Sequence, residues 1–221
     1  MELTVCTVNF YNRDYIYFQD YTYRKTADNK DFKRIVCNVT PNNEEWEDLA
    51  LLPNTTVFHT ETNGLRGSES HGVGLNALIP KIDTEYAVLA DPDTATLIQG
   101  WDSICHKQLK GDIVAIGTPY PTHATDRYRN FPNPIFFFFK VEPVQSLMID
   151  FRPESYFIRS LKKRLTSCLR WVECTDRDTS WRAPIEFQRA GLEAKVFRLL
   201  KCDDFDALVL SPDARVDEHH W

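Results

Sequence analysis

The sequence predicts an α/β fold, a single domain over residues 1–221 with a mostly parallel central sheet and a mixed extension in its C-terminal half. Three observations predict it. Short apolar runs rich in β-branched residues alternate with segments of helical apolar spacing through the first 110 residues. The alternation lapses beyond about residue 110, where strands follow one another without clean crossover spacing. Finally, 221 residues with 43% hydrophobic and 13% aromatic content suffice for one sizeable core and require no second.

The elements follow in order. Residues 3–10, LTVCTVNF, form a β-branched first strand. Residues 15–26 carry a weak helical pattern with two possible inward sets, Tyr15, Phe18 and Thr22, or Ile16, Gln19 and Tyr23. Residues 32–39 are the second strand. Residues 42–52 are a short helix whose acidic first turn suits the helix dipole, and residues 55–61 the third strand. A helix over residues 68–82 turns Val73, Leu75, Leu78, Ile79 and Ile82 inward, ahead of the fourth strand at 85–90. Residues 95–110 then read as a helix with Ile98, Trp101, Cys105 and Leu109 on one face. Such alternation implies right-handed βαβ units and a parallel sheet, whose ligands bind at the carboxyl ends of the strands.

In the second half, residues 112–120 and 133–141 are strands separated by an aromatic, proline-rich loop. A basic amphipathic helix follows (Arg159 to Arg170), with Ile158, Leu161, Leu165, Cys168, Leu169 and Val172 inward. After a polar segment comes a helix ended by Gly191, then strands at 194–200 and 206–210.

Composition narrows the partners. A net charge of -6 argues against nucleic acid, since phosphate-backbone affinity comes from clustered Lys and Arg. The basic run is the solvated face of its helix. The longest apolar run, PIFFFFKV, is far too short to cross a bilayer, and the chain enters its first strand so early that no signal sequence is expected. Six scattered cysteines without a CxxC pair read as buried free thiols in a reducing compartment, hence a cytoplasmic protein. The sequons at Asn38 and Asn54 would matter only after secretion.

The chemistry concentrates where the fourth strand runs into Asp91-Pro92-Asp93-Thr94. This is good turn chemistry, and it is equally a way to aim two carboxylates at one cation. Upstream, residues 63–76 (NGLRGSESHGVGLN) combine glycines, Arg66 and His71 at the start of a helix. That segment suits phosphate, received by exposed N–H groups and a cation, or is an ordinary glycine-rich loop capped by Ser68 or Ser70.

This chain resembles the nucleotide-sugar glycosyltransferases of the GT-A fold, family 2 in particular. The likeness is carried by TVCTVNFYN, IVCNVTPNNEEWEDL, GSESHGVGLNALIPKIDTEYAVLADPDT, DTSWRAPIEFQRAG and DEHHW. The resemblance implies a donor half over residues 1–110, an acceptor half over 111–221, and Mn²⁺ or Mg²⁺ as cofactor. It also implies a nucleotide-diphosphate sugar as donor and a glycan or other hydroxyl compound as acceptor. On that resemblance Val8 and Asn9 reach the nucleoside, and Asn38 stands where the family commonly carries a base-binding aspartate. Arg66, His71 and Asn76 serve the phosphates, and Asp91 and Asp93 hold the metal, Asp91 also reaching the donor. His219 and His220 supply a remaining ligand. Asp178 matches the acceptor-side acidic residue loosely, two residues from the usual spacing; it is the candidate base of an inverting transfer, with Asp176 as its rival. Asp178 also reads as an N-cap, Pro184 lying in the first turn of the helix that follows. Tyr120, His123, Tyr128 and Phe131 form either an acceptor wall or core. The competing readings are a non-catalytic nucleotide- or glycan-binding module, and a sugar-phosphate nucleotidyltransferase, against which VNFYNRDY lacks the glycine-rich loop.

Overall fold

The computed structural model describes residues 1–65, 67–120, 130–155, 177–201 and 208–210. The expected basic helix, and with it Arg66, His123, Tyr128, Cys168, Cys174, Asp176, Cys202, His219 and His220, lies outside the described residues.

One seven-stranded sheet is built from β1 (Leu3–Asn9), β2 (Lys33–Asn38), β3 (Thr55–His59), β4 (Tyr86–Ala90), β5 (Ile113–Gly117), β6 (Phe136–Lys140) and β7 (Glu193–Val196). Their spatial order is β3-β2-β1-β4-β6-β5-β7. The β1–β2, β1–β4, β2–β3 and β5–β7 pairs are parallel, while β6 runs antiparallel to both β4 and β5. Two short strands, β8 (Leu199–Lys201) and β9 (Leu208–Leu210), pair separately. The sheet is thus mostly parallel, as expected. The mixed extension lies where the C-terminal half adds to that sheet: beyond β4 come β6, β5 and β7, with β6 antiparallel to both of its neighbours.

Both faces are covered, which explains why β4 and β6 are apolar throughout rather than alternating. Ala87, Leu89, Phe137 and Phe139 point into one core layer, and Tyr86, Val88, Ala90, Phe136 and Phe138 into the other. The PIFFFFKV run is therefore a central strand. Helix α3 (Ser68–Leu78) supplies Leu75 and Leu78 to the first layer. α1 (Arg13–Thr26) and α4 (Trp101–Gln108) supply Tyr23, Trp101 and Cys105 to the second, joined by Ala27 just after α1. α2 (Trp46–Leu49), α5 (Val141–Ser146) and α6 (Ala183–Arg189) complete the described helices.

Of the two inward sets of α1, the structure buries all of Ile16, Gln19 and Tyr23, while of the other set Thr22 is buried and Tyr15 and Phe18 face outward. Two helices are shorter than their spacing predicts. Residues 95–100 are loop, because Gly100 takes a left-handed conformation (φ 73°) and starts α4 only at Trp101. The segment 42–52 is broken by Glu45 at φ 66° into a 3₁₀ turn and the one-turn α2. The helix at 68–82 ends as α helix at Leu78 and continues as a 3₁₀ turn, Ile79–Lys81, with Val73 half-buried.

α3 lies unusually close to the carboxyl ends of β1 and β2. A Cβ on Gly74 would meet Val8 Cγ1 at 2.6 Å, and one on Gly72 would meet the Arg152 backbone at 2.7 Å. Glycine at both positions lets the helix settle onto the sheet on one side and the segment around Arg152 on the other.

Candidate functional site

The β1–α1 turn, the residue after β2, the first turn of α3 and the turn after β4 enclose one cavity of about 510 Å³. It sits at the carboxyl ends of parallel strands, the end where such sheets take ligands.

The turn after β4 is closed by Thr94 N–H donating to the Asp91 carbonyl at 3.1 Å. An extended chain would send neighbouring side chains to opposite sides and space Asp91 from Asp93 along its length. The turn brings both to the cavity wall, with Pro92 between them. On the same cavity, Gly67 (φ 55°) precedes Ser68, the first residue of α3, and no side chain caps that helix start. The unpaired N–H groups of a first helical turn attract anions. Ser70, in the same helical turn, also lines the cavity. It is 3% exposed, and its Oγ finds no hydrogen-bond partner among the described residues. A buried hydroxyl without a partner is costly.

No Lys or Arg is among the described residues that line the cavity. Burial pushes the Asp91 carboxyl above its ordinary range; His71, 3.3 Å away, opposes that shift, and the charges of Asp93 and Asp178 add to it. Among the described residues no group of three or more His, Cys, Asp or Glu forms a ready metal cage. One or two carboxylates on a cavity are nonetheless how Mg²⁺-type ions are usually held, with waters and substrate phosphates completing the shell. The residues fit such an ion on this count.

Asp178 is 9% exposed, in a loop pinned from three sides. Thr179 Oγ1 donates to the Ser68 carbonyl at 3.3 Å, Tyr120 Oη donates to the Thr179 carbonyl at 3.1 Å, and Ser180 N–H donates to the Phe151 carbonyl at 3.0 Å. The N-cap of α6 is Arg182, so Asp178 is not the cap of that helix. Phe131 is core, edge-on to Phe187 with ring centroids 5.0 Å apart.

Solved structures similar to this chain include the mannosyltransferase PcManGT from Pyrobaculum calidifontis in complex with GDP-Man and Mn²⁺. It is 14% identical with a TM-score of 0.49, over 66% of this chain and 46% of that one. S. aureus TarS is 14% identical with a TM-score of 0.48, over 70% of this chain and 30% of that one. S. aureus TarS 1-349 in complex with UDP-GlcNAc is 13% identical with a TM-score of 0.44, over 70% and 49%. This chain spans half or less of each of these structures. No protein-family model matches the chain, and no curated protein matches it in sequence.

Of the residues singled out in the sequence, the structure gathers Val8, His71, Asp91 and Asp93 around the cavity. It places Asn9, Asn38 and Asn76 differently. Asn9 Nδ2 donates to Asn38 Oδ1 at 3.0 Å and to Glu45 Oε2 at 2.9 Å, and Asn38 Nδ2 donates to Asn43 Oδ1 and the Glu44 carbonyl. Their amides brace the rim. Asn76 bridges α3 to Asp150 and to the Phe151 amide. The sequence reading missed Phe10, Asn12 and Tyr15, which follow β1 and line the cavity. For Phe10 and Asn12 the signal was available, since a β1–α1 turn lies at the ligand end of a parallel sheet; Tyr15 sits in the first turn of α1. No described helix is long and apolar enough to cross a membrane.

Proposed function

We propose that this chain is a glycosyltransferase that moves a sugar from a nucleotide-diphosphate donor to a hydroxyl acceptor, a glycan or another alcohol, with inversion at the anomeric carbon. The observation that carries the reading is the cavity itself, which Asp91 and Asp93 line together with the uncapped start of α3 and Ser70. Asp91 and Asp93 would hold Mn²⁺ or Mg²⁺, which supplies neutralisation of the charge on the leaving diphosphate. The first turn of α3 and Ser70 bind phosphate oxygens, with Arg66 as a cation and His71 as a further hydrogen-bonding group. Val8, Val39, Phe10 and Tyr15 offer apolar and aromatic surface to the nucleoside, while Asn9 and Asn38 hold the rim that shapes it.

Asp178 takes the proton of the acceptor hydroxyl as that oxygen attacks the anomeric carbon. The bond from carbon to phosphate oxygen breaks with its electron pair leaving on the nucleoside diphosphate, so the centre inverts. Asp176 is the alternative base, and His219 or His220 an additional metal ligand. The same reading places the protein in the cytoplasm, where nucleotide sugars meet reduced thiols.

Two experiments test this. UDP-, GDP- and other nucleotide sugars are screened by thermal shift with and without Mn²⁺, and metal-dependent stabilisation is expected for one base. Asp178→Asn should then keep that stabilisation while slowing transfer by roughly 10²–10⁴-fold. Full activity, or a retained anomeric configuration, removes Asp178 from the mechanism. Binding without transfer or hydrolysis would favour a binding module.

A further inference from the structure

Beneath the Asp91–Thr94 turn lies a buried polar network that the proposed chemistry does not touch. Gln19 on α1 is fully buried. Its Nε2 donates to the Asp91 carbonyl at 2.6 Å and to Thr94 Oγ1 at 2.9 Å. Its Oε1 accepts from Thr7 Oγ1 at 2.9 Å and from Arg34 Nη1 at 2.8 Å. The orientation of this amide is chemically forced. A guanidinium has donors only, so Oε1 must face Arg34, and Nε2 must then face the turn. Arg34 is itself fully buried on β2 and is held by Asp20 at 2.8 Å, which also pairs with Arg24 at 3.0 Å.

The consequence falls on one oxygen. Thr94 Oγ1 donates to the Asp91 carbonyl at 2.8 Å and Thr94 N–H donates to it at 3.1 Å, so with Gln19 three donors converge there. Having given its only proton to that carbonyl, Thr94 Oγ1 accepts from Gln19 and from Tyr23 Oη at 3.1 Å. A carbonyl so saturated cannot turn toward the cavity as a cation ligand. Its peptide plane is fixed, and with it the direction in which the Asp91 side chain leaves the chain.

We propose that Gln19 is the positioning residue for the cation-binding turn. Oriented by the buried Arg34 charge, it clamps the Asp91 carbonyl away from the cavity so that the Asp91 and Asp93 carboxylates face it together. This rests on the reading of Asp91 and Asp93 as metal ligands, and the test separates the two.

Gln19→Glu keeps the shape and the partner for Arg34 but turns a donor into an acceptor against the Asp91 carbonyl. It also adds negative charge near the cation. Simple electrostatics therefore predicts tighter Mn²⁺ binding, whereas loss of the clamp predicts weaker binding. Mn²⁺ affinity is measured by electron paramagnetic resonance on the full chain, alone and with UDP or GDP, beside the melting temperature without metal. Gln19→Glu is expected to weaken Mn²⁺ roughly 10–100-fold, the usual cost of losing a group that orients a ligand. Thr94→Val, which removes one donor and adds no charge, should weaken it in the same direction, and its affinity decides the matter if Gln19→Glu does not fold. Unchanged or tighter binding in a folded variant, with the wild type binding Mn²⁺, overturns the role of Gln19 and leaves the metal reading standing. A wild type that binds no Mn²⁺ under any of these conditions overturns both.

Discussion

Replacing Gly74 by alanine measures how tightly α3 is laid over the strand ends. In the middle of a helix this exchange ordinarily stabilises by about 0.8–1 kcal/mol. Here the new methyl would sit 2.6 Å from Val8 Cγ1 and 2.9 Å from Cγ2, whereas ordinary contact begins at 3.4 Å. Val8 is 4% exposed and β-branched, so its χ1 is stiff and both of its methyls stand in the way. The helix must lift instead, by the better part of an ångström. Overpacking of this kind costs about 1–3 kcal/mol, which outweighs the helix gain and leaves a net loss of roughly 1 kcal/mol, up to about 2. Because Val8, Ser70 and His71 line the same cavity, lifting α3 should also weaken metal-dependent nucleotide binding. Urea denaturation checks the first part: the midpoint falls by about 0.5–1 M with the slope unchanged. A variant more stable than the wild type by the full helix gain, binding nucleotide normally, would refute the close approach.

Other expectations follow from the same cavity and core. The Asp91 carboxyl is raised by burial, so its contribution to stability is present below the ordinary carboxyl range and lost as pH rises through its folded value. Metal-free Asp91→Asn should therefore melt at or above the wild type at pH 7, the advantage shrinking toward pH 4. It should also lose the ~2.7 kcal/mol that a ligand at a hundredfold its Kd confers; a lower metal-free melting temperature at pH 7 would contradict this. Ser70→Ala removes an unpartnered buried hydroxyl, so its unliganded stability should hold or rise while nucleotide affinity falls several-fold in calorimetry. Cys6, Cys37 and Cys105 are buried and free, with burial pushing each thiol up, Cys37 to about 11. Native protein treated with iodoacetamide at pH 8 should carry no label on these three by mass spectrometry.

The alternation of apolar runs was enough to read the parallel half of the sheet, because consecutive βαβ units translate directly into spacing. It was not enough to place β6. Four successive phenylalanines announce burial on both faces, but nothing local says that the strand inserts between β4 and β5 and reverses direction. The D-P-D turn was legible from its position at a strand end, and the structure sets both aspartates on the wall of one cavity. Gln19 was visible only as one of two candidate helix faces, since its importance depends on Arg34 and Thr94, distant in sequence. Asn9 and Asn38 show the opposite case. Each ends a strand at the ligand end, yet the two amides bond to each other and to the loop at residues 43–45, a pairing that spacing along the chain does not reveal.

The insertion of β6 also has a temporal side. β4 is complete at Ala90, but the strand that pairs with its second edge begins at Phe136. At 5–20 residues per second, roughly 2–9 s of synthesis pass between the two. Throughout that interval a nascent chain carries Tyr86–Ala90 as an open apolar edge, a template for pairing with any neighbouring chain. A ribosome stalled in the 121–129 stretch would release a product lacking the strand that seals this edge. Slowing elongation across those codons should therefore increase insoluble protein, and a chaperone that shields exposed strands should reduce it.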